Sequence, residues 1–157
     1  MRDEEQVRMA TERMAMVFTS WGFPRMAARV LMTVMTADED ALTAGQIGER
    51  LGVSPAAVSG AVRYLMQVSM LEKQPQIGAR SDVYRLPDNP WYEATVLKND
   101  LFVTLANQAE EIALALGKDT PAARRVGTMN EYFKFIHEAM PKLIDLWRDY
   151  KVEHGLD

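Results

Sequence analysis

The sequence predicts a mainly α-helical chain with one small β-hairpin: a long helix, a cluster of short helices, the hairpin, then two more long helices. Three observations carry this. Apolar residues recur at steps of three and four along much of the 157 residues. Two short helical segments, each with its own start and stop signals, are separated only by Gly52-Val53-Ser54. Directly after them, two strand-like stretches flank a turn that contains glycine.

The first helix runs from about Glu4 to Trp21, where Val7, Ala10, Met14, Val17 and Trp21 form one apolar seam and Gly22 ends it. Pro24 suits the first turn of a second helix, whose Met26, Ala27, Val30, Leu31, Val34 and Met35 make a stripe wide enough for a core. Asp38-Glu39-Asp40 is a solvated acidic turn. Thr43 and Gln46 form a capping box for a short helix that carries Ile47 and Leu51 on one face and stops at Gly52. Ser54 caps the next helix at once, with Pro55 at its first position and Val58, Ala61, Val62 and Leu65 facing inward. Two helices joined so tightly must cross steeply, which is a helix-turn-helix. Met70 to Gln74 and Val83 to Leu86 then read as a hairpin turning through Gly78-Ala79-Arg80-Ser81, and Pro75 ends the first strand or confines it to an edge. A hairpin in that place is a wing.

Pro87-Asp88-Asn89-Pro90 breaks the chain before a helix marked by Leu97, Leu101, Leu105, Ile112 and Leu116 and ended by Gly117. Asp119 or Thr120 caps the last helix, along which Met129, Phe133, Ile136, Met140, Leu143, Trp147 and Tyr150 recur at steps of four and three. Pro141 removes a hydrogen bond from that helix at a cost of roughly 3 kcal/mol, so a kink or a restart is expected there. The organisation is therefore a winged helix-turn-helix at 23–88 between helical regions at 1–22 and 89–157. The seams through Val7, Met14 and Val17 and through Phe133, Ile136, Met140, Leu143, Trp147 and Tyr150 are too long for one wing domain to cover. They predict dimerisation helices and an obligate homodimer.

The composition, 48% hydrophobic and 25% charged, is that of an ordinary single domain with helical extensions. Absence of cysteine removes disulfides, thiolate metal sites, catalytic thiols and thiol redox sensing. The charged first residues carry no signal peptide and no run of roughly 18 apolar residues exists, so a cytoplasmic location with no membrane partner is expected. His137 and His154 lack metal-ligand spacing, and the adjacent Glu110 and Glu111 point about 100° apart, too divergent to share a substrate. With no nucleotide-binding or hydrolase motif either, the expectation is no catalysis, no metal and no cofactor.

The net charge of −4 argues against a polycation that coats nucleic acid, but the stretch from Leu42 to Leu86 holds five basic residues against three acidic ones. Its second short helix turns Pro55, Ala56, Ser59, Gly60 and Arg63 outward. Small residues let a helix lie deep in a major groove about 12 Å wide: Ser59 bonds a base or phosphate, Ala56 meets a thymine methyl and Arg63 grips guanine or phosphate. Tight packing of the helix against protein is the alternative use of the same small residues. Thr43, Ser54, Lys73, Arg80 and Arg85 complete the candidate DNA-binding set. The eleven methionines and three tryptophans mostly serve core and seam, with a candidate small-molecule effector pocket bordered by Trp21, Met26, Trp91 and Phe102. The competing reading is a winged-helix protein–protein interaction module without specific DNA binding.

The run Leu51-Gly52-Val53-Ser54-Pro55-Ala56-Ala57-Val58-Ser59-Gly60-Ala61-Val62-Arg63-Tyr64-Leu65, the upstream Trp21-Gly22-Phe23-Pro24 and the glycine-arginine wing resemble the MarR family of winged helix-turn-helix regulators, most closely its GbsR-like branch. The resemblance covers nearly the whole chain. It implies a homodimer joined through its terminal helices that binds a pseudo-palindromic double-stranded operator and usually represses. Ser54 to Arg63 would be the major-groove reader and Arg80 the wing-tip contact in the minor groove. Two positions depart from the pattern: Ser69 stands where a glycine is expected between recognition helix and wing, and the wing tip has one arginine where relatives often have two.

Overall fold

In the computed structural model, which describes residues 3–76, 78–88, 90–117 and 120–156, the elements follow in the order α1 (Glu4–Ser20), α2 (Arg25–Met35), β1 (Leu42–Thr43), α3 (Ala44–Leu51), α4 (Pro55–Gln67), β2 (Glu72–Gln74), β3 (Val83–Arg85), α5 (Pro90–Ala115) and α6 (Pro121–His154). The chain divides into two units, 1–93 and 94–157.

In the first unit α2 is the hub, packing against α1, α3 and α4. Its wide apolar stripe explains this: Ala27, Ala28, Val30, Leu31, Met32 and Val34 are all buried. Leu42, Ile47, Val58, Val62, Leu65 and Met70 complete the winged-helix core, each withdrawn from solvent. The contact of α1 with α2 runs through the small residues Ala15 and Ala28 with Met32, bordered by Phe18, Phe23 and Met35, and is clamped by Arg29, whose guanidinium reaches the Glu12 carboxylate at 2.8 Å. The buried side of α1 is thus centred on Ala15, and its seam residues Met14, Val17 and Trp21 stay exposed in the single chain.

The hairpin joins a third strand. The sheet order is β1-β3-β2, with Leu42 opposite Tyr84 and Thr43 opposite Val83 on one side of β3, and Glu72 opposite Arg85 and Lys73 opposite Tyr84 on the other. The strand β2 is an edge and stops at Gln74, where Pro75 has no N–H to donate. Pro24 lies at the N-cap of α2, one position before its first turn.

In the second unit the α5 residues Ala106 and Ala109 and the α6 residues Asn130 and Ile144 are buried. Phe102 stacks on Phe133 with ring centroids 6.0 Å apart, and Lys134 approaches Glu110. Thr120 caps α6 by accepting a hydrogen bond from the Ala123 N–H. Asp119, the side chain of Leu97 and Asn89 lie outside the described residues. Helix α6 continues through Pro141 to His154 with no restart. One lost hydrogen bond among more than thirty helical residues does not end a helix whose neighbouring turns remain bonded.

Ser69 adopts φ +55°, the left-handed conformation that closes a helix C-terminus. Its N–H bonds the Met66 carbonyl and the Met70 N–H reaches back to the Leu65 carbonyl at 2.8 Å, so the turn from α4 into the wing is made despite the missing glycine. A side chain in this conformation costs roughly 1–2 kcal/mol, partly offset by the greater entropy that glycine loses on folding. Ser69→Gly should therefore raise stability by about 0.5–1 kcal/mol and the melting temperature by about 1–4 °C, read by thermal denaturation. An unchanged or lower midpoint would show that the serine relieves the strain by another route.

Candidate nucleic-acid interface

The placement of α4 begins with its neighbours. The Thr43 hydroxyl oxygen accepts from the Gln46 N–H and the Gln46 side-chain oxygen accepts from the Thr43 N–H, a reciprocal cap that fixes the start of α3. Gly52 at φ +63° ends α3, and the Val53 N–H bonds the Gly48 carbonyl at 3.0 Å. Ser54 accepts from the Ala57 N–H and starts α4 with Pro55 behind it. The turn is tight: a Cβ on Gly48 would lie 3.2 Å from the Val53 carbonyl oxygen. Val58, Ala61, Val62 and Leu65 then seal the inner face of α4.

What remains outward is Pro55, Ala56, Ser59, Gly60 and Arg63, all exposed. Gln67, also exposed, extends the face and was not among the sequence candidates, although a step of four beyond Arg63 marks it. Gly60 has a helical backbone and open space where a Cβ would be, so neither packing nor conformation requires glycine there.

The basic residues divide into two kinds. Arg50 pairs with Glu39, Arg85 with Glu72 at 3.1 Å and Asp88 at 3.6 Å, and Lys73 with Asp82 at 2.7 Å. The Asp82 carboxylate, through its hydrogen bond first and its charge second, holds the Lys73 ammonium above the ordinary lysine range. Arg63 on α4 and Arg80 in the wing loop have no such carboxylate partner among the described residues, and both are exposed. Gly78 at φ +81° turns the loop just before Arg80. Thr43 is half-buried and engaged in its cap.

Of the effector candidates, Trp21 and Trp91 flank Phe18. Trp91 stacks on it at 5.9 Å with an interplanar angle of 7°, and Trp21 meets it edge-on at 6.4 Å. Phe23 joins this cluster and meets Tyr64 of α4 edge-on at 5.9 Å. Phe18, Phe23 and Tyr64 were not singled out from the sequence. Met26 is half-buried, and Phe102 belongs to the second unit, on Phe133. An open groove of about 1050 Å³ in the first unit lies elsewhere, lined by charged side chains that include Arg8, Glu12, Arg29 and Arg50. On α6, Met129, Leu143, Trp147 and Tyr150 are exposed, while Phe133, Ile136 and Met140 are half-buried. Val7 on α1 is half-buried and Met14 and Val17 exposed. Among the described residues no three His, Cys, Asp or Glu side chains are grouped to hold a metal ion, and no helix is long and apolar enough to cross a membrane.

A tightly turned helix pair presenting one exposed face, followed by a three-stranded wing with an arginine in its loop, defines the winged-helix class of DNA-binding proteins. A MarR family model matches residues 21–80, and a model of MmpR5-like MarR family transcriptional regulators matches residues 89–150. The chain is a MarR family winged-helix transcriptional regulator. A crystal structure described as a transcriptional regulator is 21% identical, covers 92% of this chain and 99% of its own, and superposes with a TM-score of 0.80, a likeness of fold. The transcriptional regulator Tm0710 of Thermotoga maritima is 16% identical over 90% of this chain and 93% of its own, at a TM-score of 0.44. The zinc-responsive MarR family member ZitR of Lactococcus lactis is 19% identical over 72% and 73%, at 0.37. These last two likenesses are too loose to build on. No protein of curated function matches the chain.

The two glycines of the helix pair should respond oppositely to an added side chain. Gly48→Val should destabilise the chain by about 1–3 kcal/mol, because its Cβ would crowd the Val53 carbonyl oxygen at 3.2 Å and its methyls would add to that beside Val58. Gly60→Ala should stabilise it by about 1 kcal/mol, since its Cβ enters open space on a helix. Denaturant unfolding of both variants checks this, and a destabilised Gly60→Ala chain would contradict the open outer face.

Proposed function

We propose that the chain acts as a homodimeric, sequence-specific repressor that lays α4 in the major groove of a pseudo-palindromic operator and reaches the minor groove with its wing. The observation that carries this is the division among the basic residues between Leu42 and Leu86: Arg63 and Arg80, the two of these without a carboxylate partner among the described residues, stand on the recognition helix and on the wing loop. Ser54, Pro55, Ala56, Ser59 and Gly60 supply the close-approach face, and Gln67 extends it. Regions 1–22 and 89–157 serve dimerisation, because Met14, Val17, Leu143, Trp147 and Tyr150 would otherwise leave apolar surface in water. A small-molecule effector near Trp21, Met26 and Trp91 would release the operator, and the resemblance carried by Leu51 to Leu65, Trp21 to Pro24 and the glycine-arginine wing supports the GbsR-like branch.

Selection of bound genomic fragments, followed by mobility shifts, tests the reading. Arg63→Ala should weaken operator binding by roughly 1–3 kcal/mol and relax preference at one position per half-site. Arg80→Ala should instead lower the salt slope by about one unit per protomer and lose most on operators with A·T-rich flanks. Half-sites about 10 base pairs apart are expected from twofold symmetry. Binding that is equal for all fragments would favour a protein-interaction module. Light scattering should return twice the 17.7 kDa chain mass, and a well-folded monomer at micromolar concentration would contradict the dimer.

A further inference from the structure

The wing holds three basic residues, Lys73, Arg80 and Arg85, and neutralises two of them with its own carboxylates. The two neutralised sites differ. Glu72 lies directly opposite Arg85 across the strands, so that pair fastens the register of β2 on β3. Lys73 instead faces Tyr84 in the ladder, and its ammonium reaches Asp82, which precedes β3. Both side chains of this second pair are about half exposed, 50% and 41%. An ion pair so open to water contributes little to stability, and a phosphate arriving at the wing competes with it readily. Partner exchange would nevertheless leave the Asp82 carboxylate ionised beside the same phosphate. Lys73 therefore contributes little net attraction while Asp82 is charged.

We propose that Asp82 limits the wing's affinity for the DNA backbone, acting as an internal stand-in for phosphate that withholds Lys73 from it. This rests on the DNA-reading surface proposed above and adds to it a reason for the wing's own acids. Attraction to phosphate is nearly all of non-specific binding, whereas operator binding also draws on base-edge contacts from α4. Withholding one cation per protomer therefore lowers binding to any duplex by a similar factor and leaves discrimination between operator and other sites to α4.

The test uses the full chain with Asp82→Asn, Lys73→Gln and the double variant. Salt titrations would be read on a selected operator duplex and on a shuffled duplex of equal composition. Asp82→Asn should steepen the slope of log affinity against log salt by about one unit per protomer, a gain of about five-fold per protomer near 0.15 M salt on the shuffled duplex and a similar gain on the operator. Lys73→Gln alone should change affinity by less than about two-fold, and in its background the Asp82→Asn gain should vanish. A gain that persists without Lys73 would mean that Asp82 acts only as a distant negative charge, and would overturn the inference. So would an unchanged or weakened Asp82→Asn chain, or a Lys73→Gln loss as large as that of Arg80→Ala, which needs no Asp82 variant to fold. If the unsubstituted chain binds neither duplex, the DNA-reading assignment fails and this inference with it. If it binds but Asp82→Asn changes nothing, this inference alone fails.

Discussion

The orientation of α4 depends on the three residues that separate it from α3. Gly48 leaves room for the Val53 carbonyl, Gly52 takes the left-handed conformation that ends α3, and Ser54 caps α4 at once. With no slack in the turn, the inner face of α4 can only be the one carrying Val58, Ala61, Val62 and Leu65, and these enter a core built on α2. The outer face follows by elimination. Its small residues are exposed because their opposite neighbours are buried, so the surface available to a groove is a consequence of core packing.

The same constraint reaches the wing. Leu65 and Met70 are buried at either side of the Ser69 turn, which ties the end of α4 to the start of the hairpin. The short strand β1, immediately before α3, pairs with β3 and holds the hairpin from its other side. The wing is thus fastened to both helices of the motif, and the position of Arg80 is set by how the hairpin sits on them. Tyr64 adds a link in another direction, carrying edge-to-face contact from α4 through Phe23 to Phe18 and Trp91.

Much of this was legible from local sequence because local sequence causes it. The caps at Thr43 and Ser54, the stop at Gly52 and the inward set on α4 depend on contacts within one or two helical turns. The strand β1 was not legible, since two residues carry no periodicity, and Leu42-Thr43 reads equally well as the approach to a cap. Nor was the aromatic cluster, whose members Phe18, Phe23, Tyr64 and Trp91 come from four separate segments. The counts of basic and acidic residues gave the local charge excess but not its use. Only the folded hairpin shows that Lys73 and Arg85 have carboxylate partners within the wing while Arg80 has none among the described residues. On α1 the pattern pointed to a seam through Met14, Val17 and Trp21, and burial chose the inconspicuous Ala15 for contact with α2. The apolar seam stays exposed in the single chain.

The central claim is that α4 faces the major groove while the wing loop faces the minor groove beside it. Chemical footprinting on a selected operator tests this directly, because methylation of guanine N7 reports the major groove and hydroxyl-radical cleavage reports the sugars along the minor groove. The account predicts two patches of N7 protection about one helical turn apart, each flanked on its outer side by protected sugars. Sugar protection without any N7 protection, on an operator with guanines in both half-sites, would contradict it.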